Sequence, residues 1–188
     1  MKPPCEITSL ILKYVSSISE KIGVVNAQYL VKTNPKLRKQ NQIKTIHSSL
    51  SIEGNTLSVE QVTAILENKR VVGSQKDITE VLNALEVYKD IKFLKYHSEN
   101  DFLKAHKILM TNLIENSGKY RTKGVGIVVG SKVEHIAPPH ENVPFLMKDL
   151  FRYLKDKSEI SLIKSCVFHY EMEFTHPFMD GNGRMGRL

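Results

Sequence analysis

Apolar residues recur at helical spacing through most of the chain. Ile7, Leu10, Ile11, Tyr14, Val15 and Ile18 form one stripe, and Gly23 follows where a helix can stop, so the first predicted element is an amphipathic helix. Asn34-Pro35 sets an N-cap residue before a proline at the first helical position and predicts a second helix running to Ile52, ending near Gly54-Asn55. Ser58 and Gln61 make a capping box that opens a short helix through about Asn68, followed by a loop around Val71 and Gly73. Val81, Leu82, Leu85, Val87, Tyr88, Ile91 and Leu94 predict a long helix from about Gln75 to Tyr96. Leu103, His106, Leu109, Met110 and Leu113 predict another after Asn100.

The helical period breaks once, between Gly124 and Ile136, where β-branched residues flank a Gly130-Ser131 turn and Pro138-Pro139 closes the segment. This reads as a β-hairpin. Two further helices are expected, from Asn142 to Lys155 and from Ser158 to Phe174, the second opened by Ser158 with Ile160, Ile163, Val167 and Tyr170 along one side. The fold class is therefore mainly α, a helical bundle with one β-hairpin.

Composition changes this picture little. A chain of 188 residues can bury a hydrophobic core without staples, and 25% charged with 41% hydrophobic residues is ordinary for a globular domain. The formal net charge of +7 suits an anionic partner, but the lysines are scattered, which reads as a solvated surface. Cys5 and Cys166 have no metal-ligand spacing and point to a reducing compartment, where they serve as packing residues or bystanders. With no signal-peptide run and no stretch of about 18 apolar residues, the expected location is cytoplasmic.

The chemistry is concentrated at the carboxyl end, in His176-Pro-Phe-Met-Asp-Gly-Asn-Gly-Arg-Met-Gly-Arg187. Gly181-Asn182-Gly183 is a turn whose backbone N–H groups can converge at the start of a helix, an anion nest suited to phosphate. Arg184 and Arg187, three apart, share a helix face and can fork onto phosphate oxygens. Asp180 is placed to hold magnesium between phosphates, since a hard oxygen ligand suits that ion and the substrate supplies the rest of its shell. His176 is the nearby general base.

This stretch resembles the signature of the Fic family, His-x-Phe-x-Asp/Glu-Gly-Asn-Gly-Arg-x-x-Arg, with each defining position matched. The resemblance implies a protein adenylyltransferase that moves AMP from ATP onto a serine, threonine or tyrosine hydroxyl of another protein. His176 then takes the hydroxyl proton, Phe178 packs inward, Asp180 binds Mg2+, and Gly181, Asn182, Gly183, Arg184, Met185, Gly186 and Arg187 form the nucleotide site. It also implies that the hairpin, through Val125, Gly126, Ile127, Val128, Val133 and His135, is a flap along which a target segment adds as a strand. Gly118-Lys-Tyr-Arg121 resembles the family's approach to that flap.

Ser49-Leu-Ser-Ile-Glu53-Gly54 resembles the family's inhibitory motif, Ser/Thr-x-x-x-Glu-Gly/Asn. Ser49 and Glu53 lie one helical turn apart, so Glu53 is expected to pair with Arg187 and fill the volume a γ-phosphate needs. In some relatives that glutamate also supports AMP removal, which leaves a second activity open. The chain thus divides into an N-terminal helical region, residues 1–97, with an inhibitory helix at about 35–54, and a Fic core, 98–188, read as truncated at its carboxyl end. A homodimer and self-modification are further expectations, and DNA enters only through a C-terminal domain outside this sequence. Three alternatives stay open: a Doc-like kinase, although such members carry lysine where this chain has Gly183; a phosphocholine transferase; and a non-enzymatic DNA- or protein-binding regulator.

Overall fold

The structure is a computed structural model that describes residues 3–29, 35–129 and 132–188. Eight α-helices and two strands are ordered α1 (Ser9–Tyr29), α2 (Pro35–Ile52), α3 (Val59–Leu66), α4 (Gln75–Asp90), α5 (Glu99–Leu109), β1 (Gly126–Val129), β2 (Lys132–Ile136), α6 (Val143–Leu154), α7 (Ser161–Thr175) and α8 (Asn182–Gly186). Short 3₁₀ turns at Ile91–Phe93 and His140–Asn142 join α4 to α5 and the strands to α6.

Local chemistry accounts for most of the boundaries. The Ser58 hydroxyl accepts from the Gln61 N–H while the Gln61 side chain accepts from the Ser58 N–H, the reciprocal bonding of a capping box at the head of α3. Ser74 caps α4 and Ser98 caps α5 in the same side-chain-to-backbone manner. Proline opens α2, and the Asn34 N-cap expected before it lies outside the described residues.

Four expectations are corrected. Gly23 does not end the first helix: α1 runs on to Tyr29, because Gly23 sits in open space where nothing forces a left-handed turn. The stripe of α1 is not buried either, with Leu10, Tyr14 and Ile18 all exposed. The long helix from Gln75 stops at Asp90, tightens through one 3₁₀ turn and is extended by Leu94, short of Tyr96. Ser158 spends its hydroxyl and N–H on Asp156 rather than on a cap, so α7 begins at Ser161 after an uncapped Ile160.

The core gathers one face of each central helix. Ile43, Ile46 and Leu50 of α2 meet Val62 and Ile65 of α3 and Val81, Ala84 and Val87 of α4, while Met147, Leu150 and Phe151 of α6 close the other side with Met172 of α7. Phe178, fully buried, packs on Phe102 and His106 of α5 and on Tyr120, and burial of such a ring contributes about 2–3 kcal/mol. β1 and β2 pair antiparallel, Gly126 opposite Ile136, Ile127 opposite His135, Val128 opposite Val133 and Val129 opposite Lys132, with an irregularity between Ile127 and Val128. The expected Gly130-Ser131 turn lies outside the described residues. Cys5 and Cys166 are both free and exposed, so neither is a packing residue. Among the described residues no helix is long and apolar enough to cross a membrane.

Candidate active site

The site is one loop, residues 176–181, held between the end of α7 and the start of α8. His176 caps α7 in the left-handed conformation, φ 49° and ψ 61°, its N–H returning to the Met172 carbonyl at 2.9 Å. A residue with a Cβ pays roughly 1–3 kcal/mol for such a backbone, so surrounding bonds must hold it. With Nδ1–H donating toward the Glu173 carbonyl at 3.4 Å, the Nε2 lone pair is left to accept a proton.

The loop is braced from inside. Asn182 accepts from the Phe178 N–H and donates to the Phe178 carbonyl, both at 2.9 Å, so its side chain is spent on loop closure while its backbone begins α8. Phe178 lies flat against His106, ring centroids 3.6 Å apart and planes 4° from parallel. The His106 Nδ1 accepts from the Gly118 N–H at 2.8 Å, which fixes the other proton on Nε2, and that N–H donates to the Asp180 carbonyl at 3.0 Å. Burial holds the His106 pKa below its usual range, against the opposing pull of the Asp180 carbonyl bond. Gly181 has φ +83°, and a Cβ there would stand 2.7 Å from the Met110 sulfur, so this turn needs glycine on both counts.

The charges divide into two sets. Arg184, buried, donates to Glu80 Oε1 at 3.1 Å and to Asp180 Oδ1 at 2.9 Å, and Glu80 Oε2 accepts from the Asn55 amide at 2.8 Å. Asp180 Oδ1 also takes the Gly181 N–H at 2.5 Å, while its side chain is 52% exposed. Among the described residues nothing pairs with Oδ2, so the carboxylate keeps one outward oxygen and fits a magnesium ion whose remaining ligands come from phosphate and water. Arg187 turns to α2 instead: it donates to the Ser49 hydroxyl at 3.2 Å, the Ser49 carbonyl at 3.1 Å and Glu53 Oε1 at 2.5 Å. A Cβ on Gly183 would lie 2.7 Å from that Glu53 oxygen, so the Glu53 carboxylate rests against the backbone at Gly183.

His176, Asp180, Gly181, Asn182 and Gly183 lie along one loop and the helix start that follows it, and Arg187 brings Ser49 and Glu53 against that start. Arg184 and Arg187, three apart, do not share a partner, and Met185 is buried in the core. Val125, Gly126, Ile127, Val128, Val133 and His135 lie on or beside the two strands. The sequence reading gives no site role to Asn55, Glu80 or His106: Asn55 stands in the turn after α2, while Glu80 and His106 are polar side chains on buried helix positions. Arg121 was noticed by resemblance, but not its burial or its bonds.

The residues matched by a family model, described as the Fic/DOC family, are 96–188. Protein adenylyltransferase fic-1 of Caenorhabditis briggsae is 31% identical over 166 residues, 81% of this chain and 32% of that protein. A crystal structure of a Fic family protein from Desulfovibrio desulfuricans superposes with a TM-score of 0.90 at 46% identity, covering 100% of this chain and 57% of that one. The structure of Fic-1 from C. elegans, at 25% identity, has a TM-score of 0.73 over 95% of this chain and 57% of its own. The chain spans about a third of the C. briggsae relative's length and just over half of the two solved chains. The loop geometry, the family match and these likenesses agree: this chain belongs to the Fic/DOC family through residues 96–188.

Proposed function

We propose that this protein transfers AMP from ATP to a hydroxyl of a target protein and that its own α2 restrains the reaction. The observation that carries the reading is Arg187 bound to Ser49 and Glu53 across 134–138 positions of sequence, against the turn at Gly183. The contact withholds the arginine and the space that a γ-phosphate would use.

The N–H groups that open α8 lack partners within the helix and are suited to phosphate oxygens. When bound, Mg2+ at Asp180 Oδ2 would draw charge from the phosphates and so ease departure of the leaving group. His176 Nε2 accepts the proton of the target hydroxyl, the hydroxyl oxygen bonds to the α-phosphorus, and the bond between the α-phosphorus and the bridging oxygen breaks to release pyrophosphate. Arg184 holds Asp180 in place from the buried side, and Arg187 becomes a phosphate ligand when Glu53 leaves it. The hairpin is the edge along which a target segment lies, with its hydroxyl toward His176. The name of the C. briggsae relative, a protein adenylyltransferase, supports this choice among reactions, and so does Gly183, at the position where Doc-like kinases carry lysine. A reducing cytoplasmic setting fits two free cysteines.

The test is transfer of label from ATP to protein by the Glu53→Gly variant. Label from the α-phosphate, absent with γ-labelled ATP, is the expected result. Label from the γ-phosphate alone would replace AMP transfer by kinase chemistry.

A further inference from the structure

Arg121 is a buried cation with no carboxylate bonded to it among the described residues, Glu141 acting on it only through its charge, and all of its described side-chain bonds go to main-chain carbonyls. Its Nε–H donates to the His176 carbonyl at 2.8 Å and one Nη2–H to the Thr175 carbonyl at 3.3 Å. Its own backbone N–H donates to the Pro177 carbonyl at 2.9 Å, so one residue holds three successive carbonyls around the general base. The rest of the fork faces away from that loop: Nη1–H donates to the Lys123 carbonyl at 2.9 Å, and Nη2–H also donates to the Pro138 carbonyl. Lys123 precedes β1 and Pro138 follows β2, so the same plane ties down both ends of the hairpin.

These contacts meet a specific need. His176 carries the left-handed backbone at the carboxyl end of α7, where unpaired carbonyls and the helix dipole favour a cation. A guanidinium has rigid, divergent donors that reach both sides; an ammonium on a flexible stem cannot span them. We infer that Arg121 is the positioning residue of the reaction, fixing His176 in its strained backbone and joining it to the base of the hairpin, so that hairpin and general base move as one unit. This rests on the proposed role of His176. It adds that the target-bearing edge and the base are mechanically linked, through a residue that need not touch substrate.

The test uses the full chain with Glu53→Gly as the active parent. Arg121→Lys keeps the charge, and the expected result is a fall of tenfold or more in kcat with ATP affinity by calorimetry unchanged within twofold. Unchanged kcat, or ATP affinity falling in step with kcat, overturns the inference. Transfer that survives His176→Ala would sink the base assignment itself and this inference with it. NMR of the unsubstituted protein decides the clamp even if the Lys variant fails to fold. Separate Nη signals from a guanidinium that cannot rotate are expected for Arg121, and one averaged signal would contradict the clamp.

Discussion

Arg187 divides one guanidinium between the hydroxyl and carbonyl of Ser49 on α2 and the carboxylate of Glu53 just after it, and each of those bonds must be broken or exchanged before it can serve a phosphate in the proposed reaction. The carboxylate is the charged member and also the atom nearest Gly183, so Glu53→Gly removes both the competing anion and its bulk. ATP affinity measured by calorimetry should rise at least tenfold in that variant, with Glu53→Gln intermediate because it keeps the bulk without the charge. His106 poses a different problem. Its ring faces the Asp180 carbonyl, the Gly118 N–H and the Phe178 ring, with Arg184 nearby, and a second proton would set two N–H groups head to head. Its folded pKa is depressed, so its contribution to stability is full above the unfolded value of about 6.5 and is lost as pH falls through the folded one. The melting temperature should therefore drop more steeply from pH 7 to pH 5 in the unsubstituted protein than in His106→Gln, which keeps a donor toward Asp180 but cannot titrate. Equal slopes would remove His106 as the cause.

The motif was legible at this scale because its chemistry is contiguous: from His176 to Arg187 the base, the carboxylate, the turn and both arginines follow one another in sequence. Glu80 was not, because what gives it meaning is Arg184, 104 positions away. Arg121 has main-chain carbonyls for partners, and a carbonyl has no letter in a sequence.

At the level of elements, α2 presents Ile43, Ile46 and Leu50 to the core, while Ser49 on it and Glu53 just after it hold Arg187, so its packing and its proposed restraint come from one segment. Ile46→Ala should cost about 2–5 kcal/mol of unfolding free energy by denaturant titration. If restraint depends on how firmly α2 is docked, the same variant should raise labelling by ATP even with Glu53 present, and unchanged labelling would separate the two faces. The start of α3 was readable because a capping box is local, two side chains three positions apart. The ends of α1 and α4 were not, because glycine in open space stops nothing and an apolar stripe continues past Asp90 after the backbone has tightened. Ser158 looked like a cap until Asp156, two residues before it, claimed its hydroxyl.

For the whole molecule, the proposed restraint and the proposed chemistry come from segments 134 positions apart at the Glu53–Arg187 contact and meet beside one short helix. The proposed nucleotide binding can be read through folding: a ligand that binds only the folded state raises stability by RT ln(1 + [L]/Kd), about 2.7 kcal/mol at a hundredfold excess over Kd. At a fixed concentration of ATP with Mg2+, Glu53→Gly should show the larger rise in melting temperature, and an equal rise would mean that Glu53 does not compete with the nucleotide. The central claim is AMP transfer through His176 under restraint by Glu53, and intact-mass spectrometry after incubation with ATP and Mg2+ tests it most directly. The predicted result is a gain of one or more AMP units in Glu53→Gly, little or none in the unsubstituted chain, and none in Glu53→Gly with His176→Ala. A gain that persists without His176, or one as large with Glu53 in place as without it, would contradict the account.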